Sequence, residues 1–142
     1  MIIGIGQDIC LISRIAASVE RFGRAFTEQF CRPEEVAWAE RTAYPIAAYA
    51  RILSAKEAIG KALGVGMGEI LFWDDIELNI ASALRTKIAI HDDALGRLHN
   101  LRPGALRIHL SWSLRPPLVS TLAVAESREL AANISLAPVS PG

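Results

Sequence analysis

Residues 45–68, PIAAYARILSAKEAIGKALGVGMG, decide how the chain is read. Pro45 suits a first helical turn, because the amide it lacks would be unpaired there anyway. Ile46, Tyr49, Leu53, Ile59 and Leu63 then recur at helical spacing and predict one long helix ending at Leu63. Gly64 is the expected C-cap, and Gly66 and Gly68 alternate behind it. The helix carries Lys56, Glu57 and Lys61. Glu57 and Lys61 are four apart and share a face, which by itself is a surface ion pair of a few tenths of a kcal/mol. The alternating glycines offer backbone amides to a phosphate. They follow a helix C-terminus, however, so the helix dipole does not reinforce them.

Working outward, Ile2–Cys10 reads as a buried strand on which Gly4, Gly6 and Asp8 share one face. The glycines let another backbone or a ligand come close. A carboxylate beside a buried strand needs a cation, a helix N-terminus or several donors. Asp8 and Glu57 together have the composition of a magnesium site, which takes one or two protein carboxylates and leaves room for phosphates and water. Lys56 and Lys61 would then neutralise remaining phosphate charge. Ser13 is the expected cap of a helix with Ile15, Val19, Phe22 and Phe26 on its apolar face and Gly23 in its interior. Arg14, Arg21 and Arg24 form a basic stripe along it, which alone reads as a solvated face. Pro33 opens a short helix ending near Thr42, with Glu34 and Glu35 favourable at its positive end.

The second half changes period. Ile76, Leu78 and Ile80 alternate with polar residues as a half-buried strand does, and Lys87–Ile90 is a further short strand. Asp92 or Asp93 starts a helix with Ala94, Leu95, Leu98 and Leu101 on its apolar side. Pro103-Gly104 is a turn, Leu106–Ser113 is the most regular strand pattern in the chain, and Leu118–Glu126 is the last strand. From Ala94 to Ala125 there are four arginines (97, 102, 107 and 115) and no acid, so this region is basic. His109 shares the polar face of its strand with Arg107 and Ser111. The three histidines have no zinc spacing.

The 142 residues suggest one domain, expected over residues 1–130, with a flexible tail over 131–142. Fifteen basic and fifteen acidic residues cancel, which argues against a nucleic-acid binder. A hydrophobic share of 51% is enough for a sizeable core and for an apolar surface suited to self-association. No apolar run reaches the length of a membrane span, and the start does not read as a signal peptide. Cys10 and Cys31 form no metal-ligand pair, and nothing requires a disulfide. The expected compartment is the reducing cytoplasm.

Three segments resemble the holo-acyl-carrier-protein synthases, the small bacterial 4'-phosphopantetheinyl transferases. They are Gly4-Ile5-Gly6-Gln7-Asp8-Ile9 followed by Ile12-Ser13-Arg14-Ile15, then Ala55–Gly66, then Ile108-His109-Leu110-Ser111-Trp112-Ser113 with Ala123-Val124-Ala125-Glu126 behind it. The similarity runs over roughly residues 2 to 127. It implies an α+β fold, an antiparallel sheet packed against a long helix, assembled as a homotrimer with active sites between subunits. It implies transfer of phosphopantetheine from coenzyme A to a serine of apo acyl carrier protein, with adenosine 3',5'-bisphosphate leaving. By resemblance Asp8 and Glu57 bind Mg2+. Glu57, directly or through water, takes the serine proton, and Lys61 neutralises phosphate. Gly64 and Gly66 border coenzyme A, and His109 reaches the nucleotide phosphates from the neighbouring subunit. Arg14, Arg21 and Arg24 match the carrier-docking helix, and carrier proteins are acidic.

The chain departs from the family pattern in places. The family's phosphate-contacting arginine stands five residues before the motif glutamate. Here that place is Ile52, and Arg51, about 100 degrees round the helix, is carried as the contact. Leu114 stands where many members have histidine, and Arg115-Pro116-Pro117 makes a stiff loop. The Gly-Lys-Pro turn is missing near Ala83 to Lys87, and Gln7 replaces a small or polar residue. Two further readings stand beside the enzyme. One is a catalytically impaired relative that binds coenzyme A or a carrier protein; the other is a structural trimer subunit without a ligand.

Overall fold

In the computed structural model, residues 1–82, 85–101 and 104–128 are described. The chain runs β1 (Ile2–Leu11), α1 (Ile12–Phe22), α2 (Arg24–Thr27), α3 (Pro33–Glu40), α4 (Pro45–Leu63), a 3-10 turn (Trp73–Asp75), β2 (Ile76–Ser82), β3 (Arg85–Ile90), α5 (Asp92–Leu101), β4 (Ala105–Arg115) and β5 (Leu118–Arg128). The strands are antiparallel and form two sheets, one ordered β1-β5-β4 and one a β2-β3 hairpin. The tail over 131–142, the residue-130 boundary, Arg102, Pro103 and residues 83–84 lie outside the described residues.

The two glycines of β1 do the positioning. A Cβ at Gly4 would strike the Ala62 carbonyl, and one at Gly6 would strike the Ala58 carbonyl and the Ala62 amide. Of the two readings open to these glycines, close approach of another backbone is the one realised, and that backbone is α4. Small residues repeat the device across the contact. Ala55, Ala58 and Ala62 of α4 are buried, as are Thr121, Ala123 and Ala125 of β5. The Ser54 hydroxyl bonds Thr121 Oγ1 at 2.9 Å and pins helix to sheet. Residues 8 and 121 are register partners, so this pin lies beside Asp8.

Several local expectations change. The first helix begins at Ile12, and no side chain caps it, so Ser13 is not the N-cap. Gly23 is not an interior weakness. At φ 58° it ends α1, and Arg24 starts a separate short helix. The α3 helix stops at Glu40 rather than Thr42, whose hydroxyl folds back onto the Ala39 carbonyl at 2.7 Å. On α5 only Ala94 and Leu98 are buried; Leu95 and Leu101 face solvent. Strand β3 starts at Arg85, two residues before Lys87. Pro116-Pro117, joined by a cis peptide bond, make the connection between β4 and β5. Pro45–Leu63 is helical as read, with Gly64 at φ 69° as its cap.

Candidate active site

Alternation along β1 turns Asp8 to the same side as Gly6, toward α4. Two α4 side chains, two turns apart, reach residue 8. Ser54 Oγ donates to the Asp8 carbonyl at 3.4 Å, and Lys61 Nζ donates to Asp8 Oδ1 at 2.8 Å and to the Gln7 carbonyl at 3.1 Å. Glu57 lies between them, one turn from each, on that face of the helix. Its Oε1 accepts a hydrogen bond from the indole Nε1 of Trp73 at 3.1 Å. The Asp8 side chain is 18% exposed and Lys61 52%, so the cluster opens to solvent on the lysine side.

Lys56 does not belong to this cluster. It is fully buried against Glu35, which is also fully buried, at 2.7 Å. Its remaining donors go to the carbonyls of Phe30 at 2.8 Å and Trp73 at 3.0 Å. Glu35 in turn accepts the Arg32 amide and the Leu78 amide, each at 2.8 Å. The expectation that Lys56 faces phosphate is corrected, while Glu35 holds the N-terminal end of α3 as expected and pairs with Lys56 in addition. A signal was present: Lys56 falls in register with Ile52, Ile59 and Leu63, on the apolar side of the helix. Trp73 carried no comparable signal.

Arg51 is not brought to Asp8, Glu57 and Lys61. It is buried, stacks on Trp112 and lies 5.4 Å from the Trp38 ring centre. Its Nη2 has no acceptor among the described residues, and burial pushes the guanidinium down to about 10. The apolar cavity there, about 160 Å³, also touches Leu114. Ile52, at the family's arginine position, is fully buried.

Gly64 and Gly66 follow α4 at the surface. The Gly64 amide is taken by the Lys61 carbonyl and the Val65 amide by the Gly60 carbonyl, so neither of these two serves as a phosphate donor. His109 projects from the outer face of the sheet, on the other side from Asp8, with Nε2 3.1 Å from Glu126 Oε2. That hydrogen bond is the main reason the Glu126 carboxyl is held below its ordinary range. Arg14 and Arg21 are exposed on α1. Arg24, on α2, spans both oxygens of Glu40 at 3.0 and 3.1 Å, so the stripe is broken and its last member is paired. In the basic segment, Arg97 is held by Asp75 and by the Ile70 carbonyl. Cys10 and Cys31 are free thiols, and burial pushes both up.

Among the described residues, no three His, Cys, Asp or Glu side chains group around a common point. Asp8 and Glu57 are two hard oxygen donors, and an ion that completes its shell with phosphate and water needs no more from the protein. Among the described residues, no helix is long and apolar enough to cross a membrane.

A family model described as the 4'-phosphopantetheinyl transferase superfamily matches residues 4–108, which include Asp8, Glu57 and Lys61 and stop one residue short of His109. The chain is 42% identical over 130 residues to a holo-[acyl-carrier-protein] synthase of Methylobacterium sp. (strain 4-46), covering 89% of this chain and 96% of that one. It resembles the crystal structure of holo-[acyl-carrier-protein] synthase from Neisseria meningitidis with a TM-score of 0.78 and 30% identity, over 89% of this chain and 100% of that one. The Helicobacter pylori synthase in complex with coenzyme A aligns with a TM-score of 0.74 and 26% identity, over 86% and 99% of the two chains.

Proposed function

The chain belongs to the 4'-phosphopantetheinyl transferase superfamily, and from that premise we propose that it is a magnesium-dependent holo-acyl-carrier-protein synthase. It transfers 4'-phosphopantetheine from coenzyme A to a serine of apo acyl carrier protein and releases adenosine 3',5'-bisphosphate. The observation that carries this reading is the contact of Lys61 with Asp8 at 2.8 Å, with Glu57 one turn away on the same helix face. Coenzyme A in the Helicobacter pylori relative supports the choice of donor.

Asp8 and Glu57 are the residues that would hold Mg2+, which when bound supplies charge neutralisation on the pyrophosphate. Lys61 has an exposed ammonium that can leave Asp8 for a phosphate oxygen. Phosphoryl displacement needs mainly alignment and charge stabilisation, and these three side chains are placed to give both. Glu57, directly or through water, takes the proton of the carrier serine as its oxygen bonds to phosphorus and the adenosine bisphosphate departs. The nucleophile comes from the partner, so no serine of this chain is required.

Gly64 and Gly66 border coenzyme A. The acidic carrier protein is steered by Arg14, Arg21 and Arg24. The assembly is a homotrimer of one-domain subunits in the cytoplasm, in which His109 serves a neighbour's site. The outer sheet face, with Ile5, Ile9 and Leu122 exposed, supplies apolar surface for it. Arg51 drops out of the coenzyme A contacts, because its guanidinium is enclosed by Trp38 and Trp112. That placement also favours the second reading, a relative that binds coenzyme A or a carrier protein without transfer.

Mass spectrometry of apo carrier proteins after incubation with coenzyme A and Mg2+ tests both. A gain of one phosphopantetheine mass is expected. No gain across a panel of carriers, with coenzyme A still binding by calorimetry, establishes the second reading.

A further inference from the structure

Consecutive residues of α4 hold the same tryptophan from two sides. Lys56 Nζ binds the Trp73 carbonyl at 3.0 Å, and Glu57 Oε1 receives the Trp73 indole N–H at 3.1 Å. The first grip is rigid. Lys56 is fully buried, and its other two partners are Glu35 at 2.7 Å and the Phe30 carbonyl at 2.8 Å. The 3-10 turn is closed from its far end as well, since the Asp75 carboxylate accepts the Phe72 amide at 2.8 Å and pairs with Arg97. The indole is therefore delivered to Glu57 from a scaffold fixed at three points. We infer that Trp73 is a positioning residue for Glu57. Its N–H selects one orientation of that carboxylate, leaves the second oxygen free toward the divalent cation, and is itself held in place by the buried Lys56–Glu35 pair.

The physical case rests on alternatives. A glutamate side chain without a fixed partner samples several rotamers, and ordering it on demand costs free energy at the moment of reaction. A partly buried indole N–H needs an acceptor, and Glu57 is the one it has. Partners of a metal-binding carboxylate that lie one bond further out typically change metal affinity or activity by about 10- to 100-fold when removed. The inference rests on the proposed reading, its kinetic arm on transfer to a carrier and its titration arm on the Mg2+ site of Asp8 and Glu57.

Trp73→Phe keeps an aromatic side chain and deletes the donor. The expected result is a kcat lower by about tenfold and an Mg2+ half-saturation higher by about tenfold, with KM for coenzyme A within about twofold. The second measurement needs no turnover. In the wild-type chain the indole Nε1–H resonance of Trp73, assigned as the peak missing from Trp73→Phe, should shift saturably as Mg2+ is added. The Trp38 and Trp112 indole peaks should stay in place. A Trp73→Phe enzyme with unchanged kcat and Mg2+ half-saturation, or a Trp73 resonance indifferent to Mg2+, overturns the inference. If the wild-type chain modifies no carrier, the transferase reading fails, and the Mg2+ titration of the Trp73 resonance still decides this one.

Discussion

Lys56 and Lys61 sit five residues apart on one helix, and each ends on a carboxylate within 2.8 Å, yet they belong to different kinds of site. The Lys56–Glu35 pair is fully buried on both sides, and two carbonyls take the remaining lysine donors. The Lys61–Asp8 pair has a lysine 52% exposed and an aspartate 18% exposed. Charge pairing is the same in both; access is what differs. A closed pair cannot exchange its partner without opening the core. An open pair can trade one ligand for another, which is what a site that receives phosphate and a cation requires.

The sharpest way to break this contrast is Lys56→Met. It leaves Glu35 buried without its cation, and a loss of about 3–5 kcal/mol in a urea titration is expected. The double variant Lys56→Met with Glu35→Met should recover much of that loss, because the orphaned charge is gone. At the open pair the effect moves from stability to turnover. Asp8→Ala and Glu57→Ala should each lower carrier modification by at least about a hundredfold, a loss of several kcal/mol of transition-state stabilisation. The Asp8 variant should change unfolding free energy by only about 0–1 kcal/mol. Wild-type turnover in both variants would remove the assigned site.

Smaller effects test the periphery. Arg24→Ala breaks an exposed pair, in which Nη2 alone faces both Glu40 oxygens, and should cost about 0.2–1 kcal/mol, read by thermal melting. The smallest is at His109. Its hydrogen bond holds the Glu126 carboxyl below the ordinary range. The folded value lies below the unfolded one. This contribution to stability is therefore present above the ordinary carboxylate range and is lost as the pH falls through the lowered value. His109→Ala should move the Glu126 carboxyl titration, followed by NMR against pH, upward toward the usual range, with Arg128 and the N-terminus still lowering it.

Much of this was legible from residue order. The span Pro45–Leu63 came from its apolar spacing and its flanking proline and glycine, and the strand over Leu106–Ser113 came from alternation, while the antiparallel pairing was implied only by the family resemblance. Asp8, Glu57 and Lys61 were named together through the family resemblance; residue order alone gave only the shared helix face of Glu57 and Lys61 and the need of Asp8 for a partner, which Lys61 supplies. Arg24 was misassigned because spacing assumes an unbroken helix, and Gly23 breaks it. Glu35 was legible as a helix-end acid, but nothing local says that Lys56 and the Leu78 amide will close over it.

Taken alone, the sequence determined the periodic elements, the two glycines that allow α4 to lie against β1, and the chemical identity of the three clustered side chains. Those are local properties, set by backbone preference and by what each side chain can donate or accept. Only the tertiary structure decided that Lys61 meets Asp8 while Lys56 turns inward, that Trp73 grips Glu57, and that Arg51 is enclosed by tryptophans. Each of these depends on which way a helix is rotated about its axis against its neighbours. That rotation is settled by the packing of the whole core, where a step of one residue, about 100 degrees, exchanges solvent for interior.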